Sequence, residues 1–176
     1  MPALQDSPPD LEQRLRDVAG RFATGVTIVT TKSEGTVHGM TANGFMSVSL
    51  RPPLVAVSIG NAARMKPLLD ETGRYAVSVL ASEQRSLSRH FAGQPGETAP
   101  TFLEAGDMPL LEGALAHIAA SVVDAHPAGD HTIYIGRVEH LDYREGQPLV
   151  FHAGGYRALE PALRWWDTWY REAGWT

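Results

Sequence analysis

Residues 39–49 read GMTANGFMSVS, a run of small and hydroxyl-bearing residues where a strand-rich core would call for bulk. Thr41, Asn43, Ser47 and Ser49 supply donors and acceptors, and the glycines let backbone groups approach a bound molecule closely. A planar ligand with polar edges suits that combination better than close packing does. Asn43-Gly44 also has an ordinary reading, because Asn-Gly between two extended runs is the commonest signal of a two-residue type I′ hairpin. The residues alone leave both readings open.

A second stretch, SIGNAARMK at residues 58–66, runs from a strand into a helix start, where free N–H groups and the helix dipole favour a phosphate. Arg64 and Lys66 can add charge, Lys66 being one of only two lysines with Lys32. A solvated helix end with two surface cations is the plain alternative. His38, His117, His126, His140 and His152 fit no metal-ligand spacing, HExxH is absent and cysteine is lacking. No metal is expected, and thiolate nucleophiles and disulfides are excluded.

The elements that must position these groups follow from pattern. Leu11, Leu15, Val18, Ala19 and Phe22 share one helical face with Asp10 as a plausible N-cap, and Gly25 breaks the helix. Residues 26–31 are β-branched and predict a strand, followed by strands near 36–40, 45–49, 54–59 and 75–80. Short helices are expected over 63–72 and from Ser82 as cap to Phe91, then a proline- and glycine-rich loop over 94–108. Two long strands, 114–124 and 131–143, and a short one at 149–152 complete the pattern. Most strands are joined by short turns, which predicts a mainly β fold with an antiparallel sheet closed or nearly closed into a barrel, helices lying at its periphery.

At 176 residues, with 43% hydrophobic and 20% charged residues, the chain fits one domain with a substantial core. A net charge of −5 argues against a general nucleic-acid binder. No apolar run is long enough to span a bilayer, and the start MPALQDSPPD is neither basic nor apolar, so no membrane association and a cytoplasmic location are expected. Residues 1–9 are expected to form a flexible tail, residues 10–160 the domain, and residues 161–176 an aromatic C-terminal helix. That last segment holds all four tryptophans, and Trp165, Trp166, Trp169 and Tyr170 make one broad helical face. It is expected to pack on the barrel or across a dimer interface, in preference to forming a lid or a docking surface for another protein.

Taken in order, FATGVTIVTT at 22–31, HGMTANGF at 38–45, SVSLRPPLV at 47–55, GRYAVSVL at 73–80, RHFAG at 89–93, GDHTIYIG at 129–136 and GYR at 155–157 resemble the short-chain flavin reductases. These are the NAD(P)H-dependent partners of two-component flavin monooxygenases, and they fold as an FMN-binding split barrel. The resemblance implies hydride transfer from NADH or NADPH to FMN or FAD, with no catalytic acid or base side chain. It implies that Thr41, Ala42, Asn43, Ser47, Ser58, Ile59, Arg64, Lys66 and Phe91 hold the flavin, and that His131 and Tyr156 face the nicotinamide nucleotide. It also implies a homodimer and a flavin-dependent monooxygenase partner. The chain departs from the family at Ala62 and Ala63, where serine or threonine is frequent, which leaves FMN and FAD both open. A non-enzymatic flavin or haem carrier on the same barrel is the alternative.

Overall fold

The computed structural model describes residues 9–94, 96, 99–105 and 107–159. The expected C-terminal aromatic helix and nearly all of the expected N-terminal tail lie outside them. Helix α1 (Pro9–Ala19) takes proline at its first helical position, where a missing N–H costs nothing, so Asp10 sits inside the first turn and not at the cap. The chain then tightens into i, i+3 bonds, the Phe22 N–H donating to the Ala19 carbonyl at 3.0 Å, and the helix ends before Phe22.

Strand β1 (Thr24–Gly25) is short; β2 (Thr27–Ser33), β3 (Thr36–Ala42), β4 (Phe45–Leu50) and β5 (Pro53–Gly60) follow it. Helix α2 (Met65–Thr72) ends at Gly73, which adopts the left-handed conformation that glycine tolerates best, φ 61°. Strand β6 (Arg74–Val79) leads through a 3₁₀ turn at Ser82–Gln84 into α3 (Arg85–Phe91). Ser82 is not the cap expected of it: its hydroxyl bonds the Glu83 carboxylate, while the Gln84 side chain accepts the Ala81 N–H at 3.0 Å.

The region expected to be a loop contains a hairpin, β7 (Phe102–Ala105) and β8 (Met108–Leu111). Its proline and glycine content hides an apolar MPLL strand whose four side chains are all buried. Strands β9 (Ala116–Ala128) and β10 (His131–Tyr143) form one long hairpin, and β11 (Val150–His152) and β12 (Gly155–Arg157) another.

Seven strands make one antiparallel sheet in the order β3-β2-β6-β9-β10-β5-β4, and β1, β11 and β12 make a second. The expected antiparallel split barrel is borne out. Register shifts between β9 and β10 at Ile135/Gly136 and Val138/His140 bend the long strands, as bulges do. At Gly136 an added Cβ would lie 2.5 Å from the Tyr75 hydroxyl, so glycine there makes room for a buried tyrosine in the core. Val29, Val55, Val57, Ile59, Leu69 and Tyr75 fill that core, with Leu69 and Met65 of α2 packed into it. Burial pushes the Tyr75 phenol well above its ordinary range.

The split lies between β3 and β4, the two edges of the seven-stranded sheet, which make no pairing with each other. Neither Asn43 nor Gly44 has a positive φ, so the pair is not a type I′ hairpin turn. Gly44 instead crosses to β5: its carbonyl accepts the Ser58 N–H at 2.8 Å, and an added Cβ would sit 3.1 Å from Ser58 Cβ.

Candidate functional site

Two clefts open along β3, one toward each end. Thr41, Ala42 and Asn43 line the first, of about 240 Å³, opposite Ser88 of α3 and Tyr156 of β12, with Val26 and Phe151 behind. Helix α3 sets both walls. The Thr41 hydroxyl donates to the Ser88 carbonyl at 2.6 Å, and the Ser88 and Tyr156 hydroxyls share a hydrogen bond of 2.8 Å. The Arg85 guanidinium lies 5.0 Å from the centre of the Tyr156 ring. Thr41 therefore has its proton committed to the scaffold. The exposed Asn43 amide carries no hydrogen bond.

The second cleft, of about 440 Å³, continues along His38, Gly39 and Met40 to Arg64 at the start of α2 and Phe91 at the end of α3. Arg64 is exposed and has no acidic partner, and α2 has no side-chain cap on its first N–H groups. Lys66 is differently placed. Its ammonium pairs with Asp70 at 2.7 Å, and Tyr134 donates to the other oxygen of that carboxylate at 2.6 Å. Those two hydrogen bonds hold the Asp70 carboxyl below the usual range.

Asn43 also borders a further cleft of about 370 Å³ lined by Thr24, Gly25, Thr27 and Phe45. Ser58 lies beside Gly44 and so close to Asn43, with its hydroxyl unengaged. Ile59 is fully buried in the barrel core, which leaves only its backbone to a ligand. Ser47 lies on exposed β4 and lines none of these clefts.

His131 and Tyr156, expected together, belong to different neighbourhoods. His131 opens β10 opposite Gly60 of β5, with its Nε2 3.8 Å from where a Gly60 Cβ would be. Its Nδ1 bonds Asp130 at 2.8 Å, and that bond, with the charge of His131, lowers the Asp130 carboxyl below its usual range, Arg16 of α1 adding a smaller push.

Sequence reasoning missed the residue that fixes this turn. Asn61 donates its backbone N–H to the Asp130 carbonyl at 2.8 Å and its side-chain amide to the Gly129 carbonyl at 3.1 Å, and accepts from the Thr132 hydroxyl at 2.8 Å. A Gly-Asn pair ending a strand was the available signal. Ser88 was also missed, and nothing in its local sequence separates it from other helical serines.

Residues 19–160 match the family model described as the flavin reductase like domain. An NADH-dependent flavin reductase of a Rhodococcus species is 55% identical over 150 residues, 83% of this chain and 85% of that protein. The reductase component of 4-hydroxyphenylacetate 3-monooxygenase from Thermus thermophilus is 40% identical over 150 residues, 85% of this chain and 97% of the relative. Among solved structures, the flavin reductase PheA2 in its native state superposes with a TM-score of 0.83 at 46% identity, covering 85% of this chain and 99% of its own. The NADH:FAD oxidoreductase SgcE6 of Streptomyces globisporus, in complex with NAD and FAD fragments, gives 0.80 at 36% identity, covering 90% and 98%.

Proposed function

The chain belongs to the flavin reductase like family, and on that premise we propose that it transfers hydride from NADH to FMN or FAD. The relatives named NADH-dependent flavin reductase, FMN reductase (NADH) and NADH-dependent FAD reductase support this reaction and both flavins. No observation favours the carrier alternative. The feature that carries the site assignment is the pair of clefts on β3, one flanked by the unengaged Asn43 amide and the other ending at the unpaired Arg64.

The residues present fit a flavin. Small side chains and an open Asn43 amide suit its polar-edged ring, while Arg64 and the uncapped start of α2 suit its phosphate. When bound, the two ligands would supply the redox chemistry, a hydride transfer from reduced nicotinamide to flavin. The protein's work is positioning and charge. Ser88 and Arg85 hold Tyr156 over the first cleft, and Asn61 and Asp130 hold the His131 ring over Gly60, where a charged imidazole can offset nucleotide phosphate. In this reading Ser58 and the Ile59 backbone border the ring, Phe91 shapes the phosphate end, and no side chain acts as acid or base.

Met46, Val48 and Leu50 alternate along edge strand β4 and are all exposed, an edge that a second copy would cover in a homodimer. Reduced flavin then passes to a monooxygenase, as the naming of several relatives as reductase components supports. No helix among the described residues is long and apolar enough to cross a membrane, and use of NADH fits a cytoplasmic location.

Anaerobic mixing with NADH or NADPH in the presence of each flavin tests the reading. Loss of nicotinamide absorbance with NADH is expected with at least one flavin. No oxidation with either flavin would overturn it.

A further inference from the structure

Helix α1 presents an apolar face that nothing in the described protein covers. Leu11, Leu15 and Val18 are 50%, 66% and 70% exposed, at spacings that put all three on one side of the helix, and Phe22, just past its end, is 78% exposed. Eleven residues of helix span about 16 Å, so this is a continuous apolar stripe and not a scatter of single side chains.

The end of the described chain lies close by. The Ala153 N–H donates to the Gly20 carbonyl at 2.8 Å, which docks the β11–β12 turn onto the end of α1. Arg157, at the end of β12, is level with Val150, and Val150 with Gly25. Two strand spacings of roughly 4.8 Å therefore separate Arg157 from Gly25, six residues after α1 ends. Residues 160–176 continue from there. Trp165, Trp166, Trp169 and Tyr170 fall on one side of a helical projection of that sequence, and Arg164, Asp167 and Arg171 on the other. Sixteen helical residues would span about 24 Å, enough to run the length of α1.

We propose that residues 161–176 fold back along α1, with the aromatic face of that segment covering Leu11, Leu15 and Val18 of the same chain. Entry from the β11–β12 hairpin, whose turn touches the C-terminal end of α1, makes the pair antiparallel. Each aromatic ring can bury roughly 150–250 Å², so the segment has the surface to cover the stripe. The pair then stands next to the turn of Asp130 and His131, because Arg16 of α1 already acts on the Asp130 carboxyl. The inference does not depend on which flavin is reduced.

All four tryptophans belong to this segment, so the intrinsic tryptophan emission of the full chain reports on it alone. Wild-type emission at the short wavelengths of buried indole is expected, and Leu15→Asp should shift it to the red and raise acrylamide quenching. Met46→Asp, on edge strand β4 and outside the α1 stripe, should leave it in place. Emission of fully hydrated indole in the wild type, or no change in Leu15→Asp with circular dichroism intact, would overturn the proposal; so would a red shift produced by Met46→Asp alone.

Should Leu15→Asp fail to fold, a Val18→Cys, Ala162→Cys pair in this cysteine-free chain replaces it. Oxidation is expected to give an intramolecular disulfide, identified by mass spectrometry in a mixture of light and isotopically heavy protein. Failure to form it, or mixed light–heavy disulfides alone, would count against the proposal, the latter in favour of a second copy on α1.

Discussion

The ring of Phe91 occupies the space that a side chain at position 39 would need: an added Cβ on Gly39 would lie 2.6 Å from Phe91 Cε1 and 2.8 Å from Cδ1. Gly39 is thus small for the sake of an aromatic wall, and it sets the shape of the cleft that ends at Arg64. Gly39→Ala should destabilise the protein by about 1–3 kcal/mol through overpacking and weaken flavin binding. The measurement is a double-mutant cycle with Phe91→Leu by denaturant unfolding. The double variant should be less destabilised than the sum of the singles, since a smaller residue at 91 frees the space. Additivity would show that the two side chains do not compete.

Asn61 ties the end of β5 to the Asp130-His131 turn through three hydrogen bonds. Asn61→Ala should therefore act through His131: the apparent KM for NADH should rise several-fold, with a smaller change in the flavin KM. Steady-state kinetics with each substrate varied will show the split. His131→Ala should give the same pattern, and the double variant should be little worse than the poorer single, because both remove one positioning unit. A larger effect on flavin would place His131 on the wrong ligand.

The barrel was legible in the sequence because β-branched runs and short turns dictate it locally, as in β2, whose TIVTTKS admits little else. The site was only half legible. Asn43-Gly44 carries the same letters whether it turns a hairpin or crosses a split, and the choice depends on β3 and β4 lying at opposite edges of one curled sheet. The run at 39–49 proved to serve several purposes: Gly39 admits Phe91, Thr41 anchors α3, Gly44 admits Ser58, and only Asn43 keeps an unengaged amide. Lys66 and Arg64 look equivalent in sequence, and only packing shows Asp70 beside one of them. Ser88 and Asn61 act through hydrogen bonds to groups far along the chain, which no local pattern encodes.

Buried His117 gives a pH dependence with a defined sign. Ser78 Oγ accepts the Leu111 N–H at 3.0 Å and shares a 3.1 Å hydrogen bond with His117 Nδ1, in which the neutral tautomer protonated at Nε2 accepts the hydroxyl proton. Burial lowers the His117 pKa from the ordinary 6.5, Asp142 opposing and His140 assisting. Below 6.5 the unfolded chain binds a proton that the folded chain resists, so this contribution to stability is complete above that pH and is lost as pH falls through the lower folded value. The thermal midpoint should drop between pH 7 and 5, and His117→Gln should flatten the drop. Asp70, Asp130 and Glu139 also have lowered values, and their contributions are lost only in the acid range below their ordinary values of 3.8 to 4.5. An unchanged slope in His117→Gln would assign the midpoint shift to another group.

Arg64 and Lys66 separate binding from stability. Arg64 borders the larger cleft without an acidic partner, whereas Lys66 is held by Asp70 in a network that Tyr134 completes. A charge-assisted hydrogen bond to phosphate is worth about 1.5–3 kcal/mol, so Arg64→Ala should weaken FMN by roughly ten- to a hundredfold. Lys66→Ala should leave FMN affinity within about threefold and lower stability by at most about 1 kcal/mol, the exposed pair being screened by water. Riboflavin, which lacks the phosphate, makes the comparison specific, because its affinity should be nearly the same for wild type and Arg64→Ala. Fluorescence titration of both flavins against the three proteins measures all of this. Equal losses of riboflavin and FMN in Arg64→Ala would mean that the guanidinium supports the ring and not the phosphate; a large FMN loss in Lys66→Ala would mean that Asp70 releases its partner when the ligand binds.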